Sequence, residues 1–194
     1  MASVMNYRKA NFQHWGVYLL ALTAASFLHE IGHCLPAWLN GYGAIPTPAK
    51  EYALSILPDG LANYVSLGGV SASALLPIVA LAVWMRSQSP YAPLALAATL
   101  AMPSLYALRF LLTGRGHDAT EFQEAQAALG VAYSGHFMDW LFVAITVAGA
   151  TAWIIKTKPR APDWLRLLAG AIATVAFLVV LQKVNNLVFD PLFS

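Results

Sequence analysis

Apolar residues run along this chain in blocks of helix length, broken by short polar stretches. The blocks fall at about 15–39, 64–85, 90–112, 137–155 and 165–184. At about 1.5 Å of rise per residue, each is long enough, or nearly so, to cross a hydrocarbon core of about 30 Å. The last two are the shortest in charge-free length, which leaves amphipathic surface helices as the alternative there. Within 66–73, Ser66-Leu67-Gly68-Gly69-Val70-Ser71-Ala72-Ser73 is rich in small residues. Such residues let membrane helices approach closely, or leave open backbone that lines a cleft. Between the first two blocks, residues 40–63 carry Gly41, Gly43, Pro46, Pro48, Pro58 and Gly60. That segment is too polar to span and reads as a short hairpin, a re-entrant segment or plain connection. The pattern predicts an all-α, polytopic membrane helix bundle of about five transmembrane helices, forming one integral membrane domain over 1–194.

Composition agrees. The chain is 59% hydrophobic and only 10% charged, against roughly 25% charged in soluble domains. The net charge is +2, and no basic run interleaved with aromatics suggests nucleic acid. The partner implied is the lipid bilayer. One cysteine, Cys34, excludes an intrachain disulfide. The first apolar block is too long for a cleavable signal peptide. With the N-terminus on one side, that side carries Arg8, Lys9, Arg86, Lys156, Lys158, Arg160 and Arg166, and the other carries Lys50, Arg109, Arg115 and Lys183. The excess predicts a multi-pass protein with its N-terminus cytoplasmic.

One apolar block contains chemistry. His29-Glu30-Ile31-Gly32-His33 is an HExxH motif, and residues 15–28 before it hold no charge. Residues i and i+4 of a helix share a face, so His29 and His33 can bind one Zn2+ ion. Glu30 lies beside that metal, where a carboxylate can act as the catalytic base. Helical rise places His29 about 21 Å into the first span. Ionisable groups at such depth are costly and mark function. The alternative is a buried, hydrogen-bonded polar cluster without metal. Gly32 and Pro36 would shape helix packing, with Pro36 kinking the helix end.

A catalytic zinc takes three protein ligands and leaves a position open. The third span returns to the side of the motif, and Gly116-His117-Asp118 follows it. Asp118 is therefore the leading third ligand, with His117, Glu121, Glu124 and Asp59 as alternatives. Asp118 also suits a helix N-cap with Glu121 at the N3 position, which would explain it without metal. His14 reads as interfacial, and His136 with Asp139 as an interfacial polar pair or a second-layer support for the ligands. Cys34 lies about 100° around the helix from His33 and reads as packing.

The stretch Phe27-Leu28-His29-Glu30-Ile31-Gly32-His33-Cys34, set in a membrane span and followed by a Gly-rich loop, resembles the site-2 protease family of intramembrane zinc metallopeptidases. The order of motif helix, Gly68-Gly69 helix and Asp118 matches over about residues 14–130. The resemblance implies that His29, His33 and Asp118 hold zinc, that Glu30 is the base, and that the substrate is a membrane-spanning segment of another protein. Here the aspartate stands in Gly116-His117-Asp118-Ala119, where the family has Asn-Pro…Asp-Gly. The charge count also places the motif end of the first span away from the cytoplasm, opposite to what the resemblance implies. The same metal chemistry would serve a membrane hydrolase of a lipid or small amide. A non-catalytic scaffold is the third class.

Overall fold

A computed structural model describes residues 12–58, 60–117, 119–132 and 135–193 of this chain. Among these residues, six helices and one small hairpin follow in the order α1 (Phe12–Leu39), β1 (Ala44–Pro46), β2 (Glu51–Ala53), α2 (Leu61–Arg86), α3 (Ala92–Thr113), α4 (Ala119–Ala128), α5 (Phe137–Thr157) and α6 (Ala161–Phe193). The expected all-α bundle is what forms. Among the described residues, four helices are long and apolar enough to cross a membrane: α2, α3, α5 and α6. That corrects the expected count of about five. The helix missing from the set is α1, because His29, Glu30 and His33 make its second half polar. α5 and α6, the weaker candidates by sequence, are both among the four.

α1 and α2 form the centre of the bundle, and they touch backbone to backbone. Pro36 lies inside α1 and has no N–H to give the Gly32 carbonyl, which is thus left without its helical partner. Gly68 of α2 sits against that carbonyl. A Cβ on Gly68 would collide with Gly32 O and lie 3.2 Å from Pro36 Cδ, while a Cβ on Gly32 would come within 2.5 Å of Gly68 O. No other residue pair fits this crossing.

α3, α4 and α5 pack around α2 through a core of Val70, Ala74, Tyr106, Phe122, Ala125, Met138 and Phe142. Phe122 stacks on Phe142 with ring centroids 5.3 Å apart. A second cluster, Trp84 with Ala92 and Leu96, closes the opposite end. Gly114 ends α3 with φ of 75°, a left-handed turn that glycine adopts without strain. The chain then doubles back into α4.

The 40–63 segment does form a hairpin. Ala44 pairs with Ala53, Ile45 with Tyr52 and Pro46 with Glu51. α6 runs 33 residues, well beyond the expected 165–184. Only 6% of its apolar window is buried, so this helix presents apolar side chains outward, as a membrane surface requires.

Candidate metal centre

His29 and His33 sit one turn apart on α1 and are both buried. Their rings are fixed from α2. His29 Nδ1 lies 2.9 Å from the Gly69 carbonyl and 2.8 Å from Ser73 Oγ. His33 Nδ1 lies 2.9 Å from the Val65 carbonyl. A carbonyl only accepts, so each Nδ1 carries the proton and each Nε2 keeps its lone pair. The two Nε2 atoms face each other at 3.0 Å. Two lone pairs at that distance need a proton or a cation between them.

Glu121 completes the group from α4. Its Oε1 lies 3.4 Å from His33 Nε2 and 4.0 Å from His29 Nε2. Ligands on a tetrahedral zinc, each about 2.05 Å from the metal, stand about 3.3 Å apart. The three observed separations bracket that value, so the three donors are spaced closely enough to hold a metal ion. His29, His33 and Glu121 form one of two groups among the described residues that could hold a metal ion. The other is Glu30, His33 and Glu51. It draws on His33, whose Nε2 is already aimed at the first group.

Glu121 is itself held. Its Oε2 lies 2.5 Å from His117 Nδ1. Burial pushes the Glu121 carboxyl upward, but the hydrogen bond and charge of His117, with His29 and His33, hold it below the ordinary carboxylate value. The His117 ring is wedged edge-on to Tyr106 at 4.5 Å and stacked near Phe122 at 5.7 Å. The hydrophobic core thus fixes His117, and His117 fixes Glu121.

Of the residues expected from the sequence, His29, Glu30 and His33 lie together on α1 and line one cavity. Asp118, the leading third ligand, and Asp59 lie outside the described residues. Among the weighed alternatives, Glu121 reaches the histidines and His117 stands behind it. Glu124 accepts a hydrogen bond from Ser66 Oγ at 2.6 Å. Asp139 accepts from the Gly116 N–H at 2.8 Å and pairs with His136 at 3.0 Å. That pair therefore anchors the 114–117 loop rather than a metal ligand directly. His14 packs near Tyr91, and Cys34 is fully buried.

Glu51 was not foreseen. Its carboxylate lies within 4.8 Å of the Glu30 carboxylate. A cavity of about 480 Å³ surrounds these groups, with Glu124, Met102 and Tyr106 on its walls.

Gly69 has a sharper role than packing. A Cβ there would overlap the His33 imidazole. Gly69→Ala is therefore expected to displace that ring and to lower zinc affinity by roughly tenfold or more, as loss of ligand orientation does. Competition with a chelator measures this. Gly68→Ala should instead disturb the helix crossing and lower the melting temperature.

No protein-family model, curated protein or solved structure matches this chain. Fold and site together define a helical membrane protein with a His-His-Glu donor cluster beside a second glutamate.

Proposed function

We propose that this protein is an intramembrane zinc metalloprotease, similar in kind to the site-2 proteases, that hydrolyses peptide bonds of membrane-spanning protein substrates. The observation that carries this reading is the pair of oriented histidine lone pairs 3.0 Å apart with Glu121 beside them. His29, His33 and Glu121 would hold a zinc ion, which would supply Lewis acidity toward a carbonyl and make bound water more acidic. Glu30 takes the proton from attacking water and passes it to the leaving amine, so the two half-reactions balance on one carboxylate. The carbonyls of Gly69 and Val65 hold the histidines in one tautomer throughout.

The hairpin favours a peptide over a lipid. Gly43 with Leu54, and Thr47 with Lys50, are joined across the ladder. The intervening pairs, Ala44–Ala53 and Pro46–Glu51, turn their backbone groups outward. An unwound substrate segment can add to β2 at Ala53. Helix-breaking Gly or Pro in a substrate should speed cleavage, since less backbone hydrogen bonding is lost.

The test is reconstitution in liposomes with single-span protein substrates, wild type against Glu30→Gln. Glu30-dependent cleavage is expected. Glu30-dependent hydrolysis of a lipid amide or ester, with no peptide cleaved, would replace the protease by a lipid hydrolase. Neither activity would leave a scaffold.

The cluster of Arg86, Lys156, Lys158, Arg160 and Arg166 supports a cytoplasmic position for residues 86–90 and 156–165. With Cys34 replaced by serine, Ser55→Cys should react with an impermeant thiol reagent on intact cells and Ser89→Cys should not. The opposite pattern reverses the orientation.

A further inference from the structure

The cavity over Glu30 is walled on one side by two elements, the second of which packs little against the rest of the bundle. One is the hairpin, which contributes Lys50 and Glu51, and the other is the second half of α6, which contributes Leu178, Leu181 and Gln182. α6 is pinned in mid-length, where Tyr18 Oη and Thr174 Oγ1 share a hydrogen bond of 2.6 Å. Its other polar tie to the hairpin side is at the far end. There Asp190 Oδ1 accepts from Tyr52 Oη at 2.7 Å and from Lys50 Nζ at 3.2 Å. The Phe193 ring packs on Tyr52, with centroids 5.1 Å apart.

Strand geometry couples this tie to the site. Successive side chains of a strand point to opposite faces. Lys50 and Tyr52 reach Asp190, and Glu51 between them turns into the cavity, where its carboxylate comes within 4.8 Å of Glu30. One carboxylate at the rim thereby sets the position of another inside. In this arrangement Glu51 covers the residue that the proposed reaction uses as its base. The tie is also weak enough to break. Lys50 and Asp190 side chains are 49% and 39% exposed, and exposed ion pairs hold little. The hydrogen bond from the buried Tyr52 is the stronger member.

We infer that Asp190 is a clasp that keeps the hairpin shut over the cavity, and that its release, with withdrawal of Glu51 from Glu30, admits the substrate. The word substrate rests on the protease reading; the closure itself does not. The test therefore reads access rather than activity. In the full chain in liposomes, with Cys34→Ser, a reporter thiol is placed by Ser26→Cys on the buried cavity wall. Its reaction with a charged methanethiosulfonate is timed. Asp190→Ala is expected to speed labelling roughly tenfold to a hundredfold, the scale of one hydrogen bond to a charged group. Asp190→Asn, which keeps an acceptor for Tyr52, should fall between. Tyr52→Phe with Lys50→Ala should also speed labelling, and adding Asp190→Ala to that pair should add less than Asp190→Ala does alone.

A second reporter, Ala98→Cys, sits buried on α3 away from the cavity. It should keep its rate in every clasp variant. Unchanged labelling at position 26, additive effects, or equal acceleration at position 98 would each overturn the clasp. None of these outcomes depends on whether the protein cleaves peptides.

Discussion

Glu30→Gln is expected to keep one zinc per chain and to lose at least ~10²-fold in turnover, the contribution of a positioned general base. The amide has nearly the shape of the carboxylate but cannot accept the proton. Glu30 is absent from the donor group of His29, His33 and Glu121, so the metal should not notice the change. His29→Ala and His33→Ala should behave in the opposite way and lose metal and activity together. Each leaves an Nε2 of the other histidine facing an empty position 3.0 Å away. Metal analysis of the purified variants beside their turnover separates the two behaviours. Zinc at full occupancy in a protein lacking both histidines would remove the metal centre altogether.

Glu121→Ala is expected to have the second largest effect, weakening zinc by about a hundredfold or more, since it deletes a ligand rather than a support. His117→Ala should weaken it by about tenfold to a hundredfold, because Glu121 would lose the partner on its other oxygen. Asp118→Ala belongs in the same titration series. Zinc lost in Asp118→Ala but kept in Glu121→Ala would give the third position to the aspartate. The expected order, Glu121 then His117 then Asp118, follows from the reach of Glu121 Oε1 to both histidines.

The sequence made the motif helix legible because a four-residue spacing needs no tertiary information. Gly and Pro made a hairpin one of three readings of 40–63, and Asp118 with Glu121 suited the start of a helix, where α4 begins at Ala119. The end of α6 was less readable. Lys183, Asn185, Asn186 and Asp190 look like the close of a span, yet the helix continues through them and buries Asn185. Glu51 and Ser73 carry no local signal at all. Ser73 meets His29 only because Gly32 and Gly68 bring α1 and α2 into contact, and Glu51 meets Glu30 only because the hairpin folds back. Choosing Glu121 from the acidic alternatives likewise required knowing where α4 lies.

The Gly32–Gly68 contact divides the molecule mechanically. Sliding α1 along α2 would break the hydrogen bonds of both histidines at once, so these two helices move as one body. α6 shares none of this constraint. At 33 residues it is about 50 Å long, more than a bilayer core of about 30 Å can match without tilt. A thicker or thinner membrane would therefore act on α6, and through Asp190 on the hairpin, while leaving the ligand geometry alone. Lipid composition would tune how readily the cavity opens and leave unaltered how tightly the metal is held.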